Sequence, residues 1–225
     1  MIHCKGCHFP NEVILMAIRW YIAYPLSYRH VEELMAERGL ELDHATVNRW
    51  VIKYSPALES RFRQIKKPIG KSWRMDETYI KVKGQWVYYY RAVDKENQTV
   101  DFFLSPTREA QAALRFFEKA IESSGQPEKV NMDKSGANLV GLERFNQELS
   151  EGNKIMIRQV KYLNNLIEQD HRGIKRIVKP MLGFKSFICA AATLTGIELY
   201  HMIRKGQNAL KGTLSAWQQF YALAA

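Results

Sequence analysis

The stretch WRMDETYIKVKGQWVYYYRAVD, residues 73–94, constrains the fold most strongly. Its aromatic and β-branched residues predict two strands, and the Lys83-Gly84 pair between them predicts a tight hairpin turn. Asp76 and Glu77 stand side by side in the first of these strands. Because consecutive strand residues face opposite sides of a sheet, at least one of the two carboxylates is expected to point into a packed layer. A buried charge is costly unless it is paired, so the pattern requires a partner for that carboxylate.

Composition and charge limit the classes of protein that this chain can belong to. Its 225 residues are 46% hydrophobic and 12% aromatic, which is enough for a sizeable core and excludes a disordered chain. The 33 Lys and Arg residues outnumber 23 Asp and Glu, and the net charge of +10 favours a polyanionic partner, nucleic acid before membrane. No apolar run reaches the roughly 18 residues that span a bilayer, and the N-terminal residues contain no signal-peptide core. We therefore expect a cytoplasmic, nucleoid-associated protein with no membrane partner.

A cluster of potential metal ligands lies near the N-terminus. Cys4, Cys7 and His8 match the C-x-x-C-H pattern of covalent haem attachment, although such attachment generally belongs to exported proteins. Together with His3 they could instead form part of a zinc site, which needs four well-placed ligands. An incidental pair of thiols is the third interpretation and the one we favour. Cys189 stands alone in an apolar run.

Residues 11–64 predict three helices, because apolar residues recur there at helical spacing. Ser27 and Asp43 are the predicted N-caps of the second and third helices, and Gly39 ends the second. The third helix is expected to end near Ser55. The residues predicted to face inward are Val13, Ile14, Ala17, Ile18, Tyr21, Val31, Leu34, Met35, Val47, Trp50, Val51 and Tyr54.

The outer side of the third helix is polar and basic. Two short helices, a Gly-containing turn and such a third helix predict a helix-turn-helix, whose last helix can read base edges in a major groove. The alternative is a three-helix cap with an ordinary solvated face. Pro56 and the stretch 61–71 predict a basic linker after this module. The candidate DNA-binding residues on the third helix are Thr46, Asn48, Arg49 and Lys53.

From residue 72 the pattern becomes mixed α/β. After the hairpin, strands are predicted at 99–104, 129–132 and 155–160. Helices are predicted at 108–123 with Thr107 as N-cap, and at 139–149, 162–178 and 187–203. Three antiparallel strands followed by helix, strand, helix, strand and helix is the order of a ribonuclease-H-like fold. The predicted class is therefore α/β (α+β), with an N-terminal helix-turn-helix followed by this core.

Three carboxylates far apart in sequence converge in such a fold. Asp76 lies on the first strand, Asp133 ends the fourth strand beside it, and Glu168 lies on the helix after the fifth. Carboxylate oxygens are the ligands that Mg²⁺ prefers, with open positions left for water and phosphate. Two such ions roughly 3.5–4 Å apart can activate an attacking oxygen and stabilise a leaving one in phosphodiester chemistry. Metal binding would explain a carboxylate in an otherwise apolar strand.

The helix at 162–178 supports a DNA-binding role for this region. Residues 158–185 include seven Lys and Arg residues and only two acidic residues. Glu168 is either paired to Lys161 or Arg172, or it is a catalytic acid within a face that tracks DNA phosphates, and both interpretations are open. Gly173 weakens the helix by about 1 kcal/mol relative to Ala, with no local reason. The polar face comprises Lys161, Asn164, Glu168, His171, Arg172, Lys175, Arg176 and Lys179.

Specific segments over nearly the whole chain resemble the DDE transposases of small bacterial insertion sequences, specifically the insertion-sequence-six family. The matching segments are HFPNEVIL, RWYIAYPLSYRHVEELMAERGLELDHATVNRWV, WRMDETYIKVKGQWVYYYRAVD, DFFLSPTREAQAALRFF, VNMDKSGAN, RQVKYLNNLIEQDHRGIKRIVKPMLGFKSF and GIELYHMIRKGQ. The resemblance implies a retroviral-integrase-like core and an N-terminal module that binds the terminal inverted repeats of the element.

The resemblance also implies the residues of the active site. Asp76, Asp133 and Glu168 would be the DDE triad and the metal ligands, with two Mg²⁺ ions for which Mn²⁺ can substitute. The 34 residues between Asp133 and Glu168 fit the family's spacing. Lys175, seven residues after Glu168, matches the basic residue usual there. Beside the third-helix residues named above, the candidate DNA contacts are Lys161, Arg172, Lys175 and Arg176.

The predicted protein is a transposase that nicks DNA to free a 3′-OH and transfers that end to target DNA, and the resemblance implies that the joined products are cointegrates. Synapsis of two ends implies a homo-oligomer, at least a dimer, and the apolar segment 210–223 could serve that assembly. The predicted domains are 1–65 with the helix-turn-helix and linker, 66–205 with the catalytic core, and 206–225 as a helical tail. Two alternatives are a ribonuclease-H-like nuclease without strand transfer and a helix-turn-helix transcriptional regulator.

Overall fold

The computed structural model of the protein describes residues 9–134, 136–210 and 212–224, apart from the side chain of Lys161. The cysteine and histidine cluster at residues 3–8 lies outside these residues. Two structural units are present: one is Pro68–Arg172, and the other combines the described residues before Pro68 with those from Gly173 onward. The three-domain division predicted from the sequence stays a prediction.

Three helices begin the second of these units, as predicted: α1 at Asn11–Ala23, α2 at Tyr28–Ala36 and α3 at His44–Gln64. Both predicted N-caps form, because the Ser27 hydroxyl accepts a hydrogen bond from the backbone N–H of His30 at 3.1 Å and the Asp43 carboxylate accepts one from Thr46 at 2.9 Å. Gly39 adopts φ +71°, a conformation that glycine reaches without strain, in the turn between α2 and α3.

α3 is longer than predicted. The expected end near Ser55 is wrong, and Pro56 lies inside a helix that continues to Gln64. Proline in a helix interior costs about 3 kcal/mol, since it removes a backbone hydrogen bond. The next two turns bury Leu58 and Phe62 completely, and each such side chain contributes about 1.5–3 kcal/mol by leaving water. The predicted basic linker therefore begins only after Gln64.

The predicted strands form one mixed sheet of order β3-β2-β1-β4-β5. The hairpin is confirmed: Lys83 and Gly84 connect its strands with φ of 50° and 79°, the pair of positive values that a type I′ turn requires. The third strand pairs antiparallel with the second, and the last two run parallel to the first. The strands are β1 at Ser72–Val82, β2 at Gln85–Asp94, β3 at Thr99–Ser105, β4 at Lys129–Met132 and β5 at Met156–Gln159.

Two helices cover one face of this sheet, α4 at Ala110–Ser124 and α5 at Gly136–Gln147. The predicted start of α4 is wrong: Thr107 caps no helix, and the N-cap position is Glu109, without a side-chain bond. Arg108, which precedes α4, is instead engaged in an ion pair with Glu77. The core between helices and sheet includes Trp73, Met75, Tyr90, Ala92, Val100, Phe116, Phe117, Val130, Met132 and Leu142.

The remaining helices are α6 at Asn165–Val178, α7 at Phe187–Arg204 and α8 at Ala216–Ala222. The predicted helix at 162–178 thus begins with a 3₁₀ turn at Lys161–Asn164. α7 packs on α1 and α3, and the approach to α3 is close, because a Cβ on Gly196 would lie 2.7 Å from Ser55 Oγ. α8 packs on α7 through the edge contact of Phe220 with Tyr200.

The predicted fold class is confirmed. Three antiparallel strands, two further strands parallel to the first and the intervening helices are the ribonuclease-H-like arrangement, and the N-terminal helices form the predicted helix-turn-helix. No helix among the described residues is both long enough and apolar enough to cross a membrane.

Candidate active site

Asp76 and Asp133 occupy neighbouring strands at the same level. β1 and β4 pair in parallel from Ser72 opposite Lys129 to Arg74 opposite Asn131. Continuing that register by two residues sets Asp76 opposite Asp133, which directly follows β4. Adjacent strands lie about 4.8 Å apart, so two carboxylates converge on one part of the sheet. Both aspartates are half-buried.

Glu77, and not Asp76, is the buried carboxylate of the first strand. Alternation places it on the side of Trp73 and Met75, facing α4 and α5, where it is 9% exposed. Its partners are Arg108, which forms an ion pair with it, and Asn138, whose Nδ2 donates a hydrogen bond at 2.6 Å. The partner that the sequence requires is therefore supplied by an arginine and an amide.

The pKa of Glu77 shows how the three acids interact. Burial raises this pKa, while the hydrogen bond from Asn138 and the charge of Arg108 lower it. The negative charges of Asp133 and Asp76 raise it again. Glu77 thus adds to the negative potential around the two aspartates, from the opposite face of the sheet.

Two residues of α6 contact the sheet on the side of Asp76. Asp170 accepts a hydrogen bond from Arg91 Nη2 at 2.7 Å, and both side chains are buried. Arg91 stands opposite Asp76 in the pairing of β1 with β2. His171 Nε2 lies 3.5 Å from Asp76 Oδ2. The Arg91–Asp170 pair is not among the residues predicted from the sequence, yet an arginine in the apolar run VYYYRAV is itself a signal that a buried acid must lie nearby.

Glu168 lies in the first turn of α6 and is exposed. It precedes His171 by three residues, a spacing that places both on one side of the helix. A carboxylate in a first turn interacts favourably with the helix dipole. Among the side chains that the structure describes, no ion pair joins Glu168 to Arg172, and the role of Glu168 stays a prediction.

The donors of this region suit a hard divalent cation, but the triad is not assembled as one ligand set. Within the described ranges, no group of three His, Cys, Asp or Glu side chains is arranged to hold a metal ion. Asp76 and Asp133 are brought together, whereas Glu168 does not complete a three-carboxylate group with them in this structure. The two aspartates present oxygen donors of the kind that Mg²⁺ prefers.

The candidate DNA contacts on α3 differ in their surroundings. Arg49 and Lys53 are exposed. Arg49 Nη2 donates to Thr46 Oγ1 at 2.6 Å, and that hydroxyl donates to Asp43 at 2.8 Å. Asn48 is half-buried and hydrogen-bonds Tyr28, which lowers the pKa of this tyrosine while burial raises it more. Arg49 and Lys53 are therefore the residues of this group that are presented to solvent.

The basic residues of α6 are also exposed. Arg172 is the last residue of the unit that contains the sheet. Lys175 and Arg176 belong to the other unit. The roles of these residues and of Lys161 stay predictions.

Comparison with known proteins gives consistent results over most of the chain. A family model described as a DDE domain matches residues 70–207, and one described as "Transposase IS66 family" matches residues 12–126. The transposase for insertion sequence-like element IS431mec of Staphylococcus aureus is 39% identical over 204 residues, covering 90% of this chain and 89% of that protein. The transposase of IS257 in transposon Tn4003, also from Staphylococcus aureus, is 38% identical with the same coverage.

Solved structures with a similar arrangement are catalytic cores of retroviral integrases. The HTLV-2 integrase catalytic core domain in complex with magnesium matches with a TM-score of 0.47 and 16% identity, covering 69% of this chain and 99% of that one. The catalytic core domain of BIV integrase matches with a TM-score of 0.42 and 14% identity, covering 57% and 82%.

Proposed function

Because this chain belongs to the DDE transposases of bacterial insertion sequences, we propose that it binds the terminal inverted repeats of its element and transfers the DNA ends by metal-dependent phosphoryl transfer. The family membership predicted from the sequence is confirmed, and the chain is an enzyme that transposes DNA. The binding of inverted repeats, the chemistry and the formation of cointegrates are our proposals.

The observation that carries the proposal is the placement of Asp76 beside Asp133 on adjoining parallel strands. We assign Asp76, Asp133 and Glu168 as the ligands of two Mg²⁺ ions, with Mn²⁺ as a substitute. When bound, such ions activate an attacking oxygen and stabilise the negative charge of the leaving one. Divalent metal dependence follows from the family, and the carboxylate chemistry of this region fits it.

The residues of the chain position the reacting groups. Water attacks a phosphodiester at each element end, and the P–O bond that breaks leaves a free 3′-OH. That 3′-OH then attacks a phosphodiester of the target, so one P–O bond forms as another breaks. No Ser or Tyr nucleophile is needed, since no protein–DNA bond forms. The Arg91–Asp170 pair joins the first half of α6 to the sheet, and Lys175 is assigned to bind phosphate.

DNA recognition is assigned to the helix-turn-helix and to the basic side chains of α6. Arg49 and Lys53 are exposed on α3, and the net charge of +10 favours contact with phosphates. Joining two element ends requires at least a homodimer. We propose that the enzyme acts in the cytoplasm, at the nucleoid.

The test is a fusion assay. A donor plasmid carries the gene with its native flanking DNA, and fusion to a second replicon is scored. The wild type is compared with Asp133→Asn, and the matched control is Glu151→Gln, which neutralises an exposed carboxylate. We expect fusions from the wild type and the control, and none from Asp133→Asn.

Other outcomes of the same assay separate the alternatives. Equal fusion frequencies in wild type and Asp133→Asn would contradict the assignment of the triad. Cut flanks without joined products would indicate a nuclease. Binding to the flanks that Asp133→Asn leaves intact, with no DNA cut or joined, would indicate a transcriptional regulator.

A further inference from the structure

A cleft of about 580 Å³ lies in the unit that contains the sheet, at the N-terminal ends of β1 and β4. It is lined by five cationic side chains, contributed by two residues at β1, one each at β4 and β5, and one in the turn after β2. These are Lys71, Arg74, Lys129, Arg158 and Lys95. Such a concentration of positive charge in one concave surface favours a polyanionic ligand.

The two acids in the lining do not neutralise this charge. Glu128 lies 3.7 Å from Lys71, and Glu96 lies 4.0 Å from Lys95, and all four side chains are well exposed. Exposed pairs of this kind are screened and weak. Among the described side chains, the other three cations, Arg74, Lys129 and Arg158, have no acidic partner within ion-pair distance. The cleft therefore keeps a net positive charge.

Two residues that line the cleft each have a buried polar atom without a described hydrogen-bond partner. Arg74 Nη1 is inaccessible to solvent and has no hydrogen-bond partner among the described residues. Asn131 is 2% exposed, and its Nδ2 donates to the Trp73 carbonyl at 3.2 Å, while its Oδ1 has no described partner. Buried polar groups are nearly always hydrogen-bonded. Arg74 as a whole is only half-buried and lines the cleft, so the accessible part of its side chain can contact an anion there.

Two residues that line the cleft precede the two aspartates on the same strands. Arg74 precedes Asp76 by two residues on β1, and Asn131 precedes Asp133 by two residues along β4. Residues two apart on a strand face the same side at a separation of about 6.6 Å. The cations and the carboxylates thus occupy successive positions on one face of the sheet.

We propose that this cleft binds the sugar-phosphate backbone of the DNA strand that leads into the active site. The inference rests on the proposed function, since it names the path of the substrate beside the reacting phosphodiester. The cations are distributed over three strands and a turn, which matches a row of phosphates better than a single anion. Phosphate contacts of this kind position DNA and carry no sequence information.

The test measures the salt dependence of DNA binding by the full chain. Fluorescence anisotropy with a labelled duplex gives the slope of log K against log salt for the wild type and for the double variant Arg74→Gln/Arg158→Gln. Each lost phosphate contact lowers the slope by about 0.9, so the double variant should lose about 2. The matched control, Arg115→Gln/Arg144→Gln, removes the same charge from exposed positions on α4 and α5, across the sheet. Its slope should stay close to that of the wild type.

Arg74 is half-buried, so folding is checked separately. Arg158 is exposed, and Arg158→Gln alone should keep the wild-type melting temperature and lower the slope by about 1. Cleft and control variants with equal slopes would overturn the inference. Calorimetric binding of inorganic phosphate that Arg158→Gln abolishes, with an unchanged DNA slope, would show a site for a small anion and would also overturn it.

The fusion assay separates this inference from the proposed function. If the wild type yields no carboxylate-dependent fusions but the cleft variants show the expected smaller salt slopes, the cleft binds DNA and the proposed transposition chemistry is wrong. If the wild type fuses replicons and the cleft variants have the same salt slope as the control, the proposed function is supported and the assignment of the cleft is wrong.

Discussion

Arg91 and Asp170 form an ion pair across 2.7 Å with side chains that are 0% and 2% exposed, although 79 positions separate them in the chain. Arg91 stands opposite Asp76 on the neighbouring strand, and the residue after Asp170 contacts Asp76 through its imidazole. The pair therefore joins the first half of α6 to the strand that carries the first proposed metal ligand.

Removing one partner of this pair should destabilise the protein strongly. Asp170→Asn leaves the Arg91 charge buried without its carboxylate, and such a loss costs about 3–5 kcal/mol. Urea unfolding measures the free energy of unfolding, and Glu151→Gln, at an exposed pair, should stay within about 0.5 kcal/mol of the wild type. The apolar double variant Arg91→Met/Asp170→Leu should recover much of the loss. A cost below about 1 kcal/mol for Asp170→Asn would mean that the pair does not hold α6.

Gly173→Ala should fail to stabilise α6. Helix propensity alone predicts a gain of about 1 kcal/mol, but a Cβ at this position would lie 2.9 Å from His201 Cε1. The ring would have to move, so we expect a neutral or lower melting temperature. In a His201→Ala background the same change should stabilise, and a double-mutant cycle measures the coupling. Additive effects in the two backgrounds would contradict this explanation.

The tyrosine pair between α1 and α2 should make stability decline at alkaline pH. Tyr21 stacks on Tyr28 at 3.9 Å between ring centroids, and burial raises the pKa of Tyr21 above its ordinary value. A raised tyrosine pKa contributes stability that is complete below the unfolded value of about 10 and is lost as pH rises above it. Between pH 9 and pH 11 the wild type should lose about 1 kcal/mol more than Tyr21→Phe.

Urea unfolding at several pH values checks this difference between wild type and Tyr21→Phe. The control is Tyr162→Phe, whose parent side chain is 72% exposed, and this variant should follow the wild type. Parallel curves for wild type and Tyr21→Phe would show that the folded state ionises this tyrosine as readily as the unfolded chain.

Arg49 and Lys53 should contribute differently to DNA binding. If Arg49 reads a base, Arg49→Ala should cost about 1–3 kcal/mol at one base position and relax specificity there. Lys53→Ala should weaken binding to all sequences equally and lower the salt slope by about 1. Binding to a panel of duplexes derived from the element's flanks, each with one base pair changed, measures both effects. Equal weakening of all duplexes by Arg49→Ala would contradict base reading.

The elements that sequence alone predicted well are those fixed by neighbouring residues. The Lys83-Gly84 turn, the cap at Asp43 and the strand before Asp133 depend on signals within a few positions of the chain. The extension of α3 past Pro56 was not predictable in this way, because Phe62 becomes fully buried in a helix that packs on α7, far along the chain.

The same distinction holds at the candidate site. Sequence alternation shows that Asp76 and Glu77 face opposite sides, but only the position of Asn138 and Arg108 decides which of the two is buried. Gly173 had no local reason in the sequence, and its reason lies in the ring of His201. Contacts between residues far apart in the chain decide these features, so a local pattern cannot contain them.

The unit that carries the helix-turn-helix is completed by α7, the helix against which α3 packs, with Gly196 close to Ser55. A ribosome makes α1 to α3 first and α7 much later. In the nascent chain, α3 therefore exists before the surface of α7 on which it packs. Truncated products that stop before Phe187 lack this surface. In such fragments the face of α3 that packs on α7 in the whole chain is left exposed to water.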